Sequence, residues 1–413
     1  MNFAGGTPSR GINVNHRMRT TFIHTADWQV GKPFAGVADP AKRALLQNER
    51  IEAIRRIGDL ARSHGAAFVV VAGDLFDSPR PTQATVASAC SAIGSIGVPV
   101  YAIPGNHDHG GAGSLWTEPF FLRESARLSP NLQALLEEHP RTLDTAVLLP
   151  CPLVRRQAAS DPTTWLRDLA GYDSLPTDRP RIVVAHGSVQ DFGSAAMDDE
   201  DLLGASQPNY IELDRLPSGP IDYVALGDWH GTKEVGRAAW YSGTPELDRF
   251  VRGADHDPGN VLVVTAERGG APQVTVVRTS AVGWHDLEFE FLAGLDTRHL
   301  AERVDARIGT RANRDLLRLH LNGSLNLTEM GALDGLLEGW QARLLRMKLT
   351  RDVALVPDES ERRALTGRTS DPLIARVAST LLERANGNDE ASEIARIALR
   401  ELHLRLHHPG RTP

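Results

Sequence analysis

Short apolar runs recur along the first two thirds of the chain, at 68–72, 98–103, 147–150, 182–185, 223–226, 261–265 and 274–278. They are too short for buried helices and rich in Val and Ile, so they predict strands covered on both faces. Stretches such as 43–60 carry apolar residues at helical spacing between them and predict covering helices. The region 19–283 therefore reads as an α/β catalytic domain, a two-sheet sandwich flanked by helices. A second block, 284–357, reads strand (286–291), helix (297–308), strand (316–321), helix (330–345), strand (353–356), the pattern of a small α+β unit. Residues 358–413 read as a charged linker leading to two helices, 372–384 and 390–406, joined by the turn Asn386-Gly387-Asn388. Leu373, Ile374, Val377, Leu381 and Leu382 in the first, and Ile394, Ala398, Leu402 and Leu406 in the second, form one apolar stripe each. Residues 1–18 are rich in Gly, Asn and Arg without periodicity and read as a flexible extension.

Polar residues with metal affinity stand directly after five of the strand-like runs. Asp27 follows Phe22-Ile23-His24-Thr25-Ala26, and Gly73-Asp74-Leu75-Phe76-Asp77 follows Val69-Val70-Val71-Ala72. Gly105-Asn106-His107-Asp108 follows the third run, His186 closes Ile182-Val183-Val184-Ala185, and Gly227-Asp228-Trp229-His230 follows the fifth. Carboxylates, amide oxygens and imidazoles suit Mn, Fe, Zn or Mg, and a strand end holds such a ligand rigidly while leaving it accessible. Taken singly the signals are modest. Asp77 alone would more often cap a turn, and His186 alone reads equally as a hydrogen-bonded core histidine. Asn-His-Asp in a glycine-flanked turn has little packing value, and five such segments in order point to a two-metal phosphoester hydrolase.

Those segments resemble the calcineurin-type metallophosphoesterases, whose pattern is D-x-H, G-D-x-x-D, G-N-H-D/E, a lone H and G-H-x-H. Two positions depart from it: Gln29 stands where the pattern has histidine, and so does Asp228. Within the superfamily the strings His24-Thr25-Ala26-Asp27-Trp28, Gly73-Asp74-Leu75-Phe76-Asp77-Ser78 and Tyr241-Ser242-Gly243-Thr244-Pro245-Glu246 resemble the SbcD-type DNA repair exonucleases. The resemblance implies two divalent ions, with Asp74 bridging them. Asp27, Gln29 and His230 complete one shell; Asn106, His186 and Asp228 complete the other. It implies that the ions bind the phosphate and activate water for in-line attack. It places His107 outside the ligand shell, as the catalytic group that stabilises charge or protonates the leaving oxygen, oriented by Asp77. An amide for one imidazole and a carboxylate for another would shift preference towards Mn2+, with Mg2+ next, and away from Zn2+.

It further implies that 284–357 is a cap shaping DNA access, and that the C-terminal helices dock on the coiled coil of an SbcC-type ATPase. The expected function is a metal-dependent DNA nuclease, an exonuclease with endonuclease activity as an extension, in DNA repair or processing. The alternatives are a phosphodiesterase or phosphatase for nucleotides and small phosphoesters, or a DNA-binding scaffold subunit weakened in catalysis. A homodimer is left open.

Composition trims this picture. The net charge of −7 excludes a uniformly basic surface, so DNA contact has to come from local patches. Lysine occurs only at Lys32, Lys42, Lys233 and Lys348, leaving arginine to supply those patches. Two cysteines, Cys90 and Cys151, suggest neither a disulfide framework nor a thiolate metal site. No run approaches the roughly 18 apolar residues of a membrane span and no apolar leader core is seen, so a cytoplasmic protein without membrane partners is expected.

Overall fold

The computed structural model describes residues 17–169, 171–189, 209–236, 238–251, 257–292, 295–387 and 389–407. Residues 1–16 of the expected extension, and Asn388 of the expected turn, lie outside them. The described residues within Met1–Ala35 and Ala44–Ala281 form one compact unit, and those within Gly36–Arg43 and Val282–Pro413 form another.

The first unit begins with β1 (Arg19–Thr25) and α1 (Pro40–Ser63), the latter from Ala44 onward, then β2 (Val69–Ala72), α2 (Gln83–Gly94) and β3 (Val100–Ile103). It continues with α3 (Pro119–Leu128), β4 (Leu132–Ala134), β5 (Arg141–Thr142), β6 (Val147–Cys151) and β7 (Arg181–His186). A short pair, β8 (Ser188–Val189) and β9 (Tyr210–Ile211), precedes β10 (Tyr223–Gly227), β11 (Lys233–Gly236), β12 (Ala239–Tyr241), β13 (Asn260–Glu267) and β14 (Gln273–Arg278). Two six-stranded sheets result, ordered β14-β13-β1-β2-β3-β4 and β11-β12-β10-β7-β6-β5.

Strand alternation explains the layers. Phe22, Val70 and Ala72 from one sheet share a buried cluster with Leu148, Ile182, Val184, Tyr223 and Ala225 from the other, so the sheets face each other. Their neighbours Ile23, Val69 and Val71 point outward onto Ile54 and Ile57 of α1 and Val86, Ala89 and Ile93 of α2. Val183, Ala185, Val224 and Leu226 likewise turn to the second sheet's outer side, onto Leu166 and Ile211. Both faces of the central strands are therefore apolar, which is why they read as continuous runs. Strands β1 to β4 are mutually parallel, as are β6, β7, β10 and β12. The expected two-sheet α/β sandwich flanked by helices is what forms.

The second unit holds β15 (Gly283–Phe291), α4 (Thr297–Ile308), β16 (Asp315–Leu325), α5 (Leu327–Arg343) and β17 (Arg346–Leu355). Its three strands are parallel and pack Leu287, Phe289, Leu319 and Leu321 onto Leu300, Val304, Leu333 and Leu337 of the two helices. Strand β17 is much longer than the expected 353–356, because it is an edge strand whose first part, with Lys348, Leu349, Thr350 and Asp352 exposed, carries no burial signal. The stretch after Pro357, expected as linker, contains helix α6 (Glu359–Thr366). Asp358 and Glu361 close a capping box at its start. The Glu361 carboxylate also accepts from Leu327 N at 3.0 Å and Thr328 N at 2.9 Å, covering the first turn of α5. Leu365 is buried with Leu327, Ala378 and Leu399, joining α6 to α7 (Pro372–Ala385) and α8 (Glu390–His407). The C-terminal helices are thus part of this unit's core rather than a hairpin beyond a linker. Among the described residues no helix is long and apolar enough to cross a membrane.

Candidate metal centre

Parallel strands deliver their C-terminal ends to one place, so the residues after β1, β2, β3, β7 and β10 converge. The two sheets are stitched together there: His186 Nδ1 donates to Ala72 O at 2.8 Å, and His24 Nε2 donates to Leu226 O at 3.2 Å. His24 also meets the Tyr223 hydroxyl at 3.0 Å, and burial pushes its imidazole down to about 3. It is a neutral core histidine.

Asp27 (φ 53°), Gln29 (φ 40°), Asp74 (φ 54°) and Asp228 (φ 102°) all hold left-handed backbone, a conformation costing about 1–3 kcal/mol each for a non-glycine residue. The surrounding fold imposes it. Asp27 N donates to Gly73 O, Gln29 N to Asp74 O and Val30 N to Leu75 O, at 3.1, 2.9 and 2.9 Å. Arg50 of α1, 2% exposed, donates to Trp28 O at 2.7 Å, to Asp27 O at 3.1 Å and to Glu246 O at 3.1 Å. Glycine is needed beside this loop: at Gly73, φ 91°, a Cβ would run into the His186 ring.

Ligand atoms of Asp27, Asp74 and His186, all buried, lie within 4.8 Å of one another. His186 Nε2 is 3.7 Å from Asp74 Oδ2 and 3.7 Å from Asp228 Oδ1. Asp228 N donates to Asp27 Oδ1 at 3.2 Å, while its Oδ2 accepts from Ser188 Oγ at 2.8 Å. Burial, then the carboxylates of Asp74 and Asp228, push the Asp27 carboxyl well above the usual carboxylate range, against the pull of His186. Burial alone would depress His186, but Asp74, Asp27 and Asp228 outweigh it and raise the imidazole to about 9. Buried negative charge is here short of a counter-charge. Because His186 Nδ1 is donated to a carbonyl, Nε2 is its free donor atom, and both Nε2 and the buried Asn106 Oδ1 have no hydrogen-bond partner. Hard oxygen and imidazole donors around uncompensated charge fit a divalent cation.

His107 stands beside this cluster, its N donating to Asp74 Oδ1 at 2.9 Å and its Nε2 4.0 Å from Asp74 Oδ2. Its orientation by Asp77 runs through the backbone: Nδ1 donates to Asp77 O at 2.8 Å. The Asp77 carboxylate itself lies 3.5 Å from Lys32 Nζ. Four contributors were not read from the sequence. Asp108 accepts from Gly105 N at 2.8 Å and Phe76 N at 3.1 Å and so ties the third strand's turn to the second's. Asp248 lies 3.0 Å from His230 Nδ1, Lys32 donates to Gln29, and Arg50 braces the Asp27 loop. Asp108 was visible in its motif and lacked only a role. Asp248 lies two residues past the 241–246 string, and only the scarcity of lysine marks Lys32.

Buried carboxylates and an imidazole at the strand ends of a two-sheet sandwich define a metal-dependent hydrolase of phosphoesters. The chain belongs to the calcineurin-like phosphoesterase family, whose model matches residues 20–232. It is 27% identical over 288 residues to the SbcD subunit of the nuclease SbcCD of Bacillus subtilis, covering 62% of this chain and 65% of that one. It is 25% identical over 213 residues to the DNA double-strand break repair protein Mre11 of Methanosarcina acetivorans, covering 49% and 30%. A metallophosphoesterase of Bacillus subtilis, YhaO, described as uncharacterized, is 32% identical over 102 residues, 24% of each chain. The chain thus spans less than two thirds of each of these relatives.

Proposed function

We propose that this phosphoesterase is a metal-dependent DNA nuclease of the SbcD type. The likeness to the SbcCD nuclease carries the reading, because at 62% of the chain it reaches further than the family match. A divalent ion held by Asp27, Asp74, Asn106, His186 and Asp228 would polarise the phosphate and acidify its water. The protein's own share is positional. Since the Asp77 carbonyl can only accept, His107 Nδ1 keeps its hydrogen, and the proton that moves is the one on Nε2. A protonated Nε2 facing the cluster can stabilise developing charge and then pass its proton to the leaving oxygen. Mn2+ is the ion expected to serve best, and the cytoplasm the place.

The partner is proposed to be the coiled coil of an SbcC-type ATPase. Packing of α7 on α8 consumes Ala378 and Leu399, yet Leu373 and Val377 on one helix and Ile394 and Ile397 on the other remain exposed, at 72%, 43%, 60% and 49%. Exposed apolar side chains at i, i+4 on one helix and i, i+3 on the other suit contact with a partner helix.

The test is incubation with end-labelled single- and double-stranded DNA and with bis-p-nitrophenyl phosphate, with and without Mn2+. Mn-dependent DNA products support the nuclease; cleavage of the small ester alone moves the protein to the small-phosphoester reading that the YhaO likeness leaves open.

A further inference from the structure

The two halves of the centre are not equivalent. Beside Asp27 and Asp74, His186 Nε2 and Asn106 Oδ1 are left without a hydrogen-bond partner; on the other side, Gln29 Oε1 and His230 Nε2 face polar groups of this chain. Lys32 Nζ donates to Gln29 Oε1 at 2.9 Å, and an amide coordinates a cation through that oxygen alone. Its nitrogen is consequently turned to His230, with Gln29 Nε2 3.2 Å from His230 Nε2. The other ring nitrogen, Nδ1, lies 3.0 Å from Asp248 Oδ2, so it carries the hydrogen and Nε2 receives the one from Gln29. Asp248 Oδ2 closes the circuit at 3.2 Å from Lys32 Nζ. The ammonium, with 20% of its side chain exposed, has three acceptors: Gln29, Asp248 and, at 3.5 Å, Asp77. Gln29 Oε1 and His230 Nε2, the ligand atoms these two residues would offer a cation, both face other side chains of the ring, and a fixed positive charge sits on the amide oxygen.

We propose that this chain holds one divalent cation, among Asp27, Asp74, Asn106, His186 and Asp228, and that the ring of Lys32, Gln29, His230 and Asp248 stands in the place of a second. Lys32 is then a positioning residue, supplying as ammonium the charge an ion would supply. Glutamine at position 29 is part of the same device, since an imidazole there would offer no oxygen for Lys32 and would present a lone pair to a second ion. The proposal rests on the metal-centre reading above but not on the choice of DNA as substrate.

The test needs no substrate. Purified protein is stripped of metal, loaded with Mn2+, passed through a desalting column and assayed for manganese per chain, with electron paramagnetic resonance to separate an isolated ion from an exchange-coupled pair. One ion per chain with the spectrum of an isolated ion is expected, and Lys32→Arg should keep both. The double variant Gln29→His with Lys32→Met should take up two ions and show coupling. Two coupled ions in the unaltered protein would overturn the proposal, as would a folded double variant that still binds one. Failure to cleave DNA with one bound ion would sink the nuclease reading and leave this one standing.

Discussion

Arg50 is the side chain on which the first ligand loop hangs. The guanidinium is buried and donates to Trp28 O, Asp27 O, Glu246 O and, at 3.0 Å, Thr244 Oγ1. Replacing it by methionine keeps much of the volume and removes every one of these donors. The Thr244 hydroxyl lies 2.9 Å from both Asp27 O and Glu246 O, and its single hydrogen can serve one of them in place of the guanidinium. Trp28 O loses its charged donor, and a buried carbonyl left bare costs about 1–3 kcal/mol. Loss of the charge-assisted bonds raises the expected total to about 3–5 kcal/mol, the range for breaking a buried charged network. At a urea slope of about 3 kcal/mol/M, the unfolding midpoint of Arg50→Met should fall by roughly 1–1.7 M. Hydrogen exchange supplies the local check. The amides of Asp27, Gln29 and Val30 are held by Gly73 O, Asp74 O and Leu75 O, and they should exchange faster in the variant than any loss of global stability explains. Manganese affinity should fall with them, since Asp27 would relax from its left-handed backbone. A midpoint shift below about 0.3 M with unchanged exchange at these amides would refute the bracing role, because losses under about 1 kcal/mol are those of an ordinary surface change.

Further outcomes can be checked directly. Asp74→Ala should lose bound manganese and hydrolysis together, whereas His107→Ala should bind the ion normally and lose about 100-fold or more in kcat, the usual worth of a positioned acid or base; metal analysis beside kinetics on the small ester separates the two. Gly73→Ala places a methyl on the His186 ring at φ 91° and should lower the melting temperature sharply while disabling the centre, as read by calorimetry. Glu361→Ala strips the carboxylate from the first turn of α5 and should cost about 1–2 kcal/mol, as a lost cap does, measured by denaturation. Leu373→Glu with Ile394→Glu should leave melting and ester hydrolysis unchanged and abolish co-purification with an SbcC-type ATPase; unchanged co-purification would discount the exposed face.

The sequence by itself determined the sandwich and the neighbourhood of the centre. Central parallel strands are apolar on both faces, so 68–72, 182–185 and 223–226 announced themselves as runs, and a rigid strand end is where a polar residue must be justified by chemistry rather than packing. Asp27, Asp74 and His186, whose ligand atoms the fold gathers, were accordingly legible, and Glu361 could have been found as the third residue after Asp358 in a capping box. Strand β17 was legible only at its apolar end, since exposed polar residues carry no burial signal along an edge. What tertiary structure alone decided is who meets whom. Nothing in a chain's order brings Lys32 to Asp248, 216 positions away, or turns the Gln29 amide nitrogen to His230. Likewise, the apolar residues of α7 and α8 were visible as two stripes, but which of them pack inward with Leu327 and Leu365, and which stay exposed, depends on how α6 and α5 fill the space between. Periodicity records that a residue is apolar or polar; the contact it makes is fixed by the fold that encloses it.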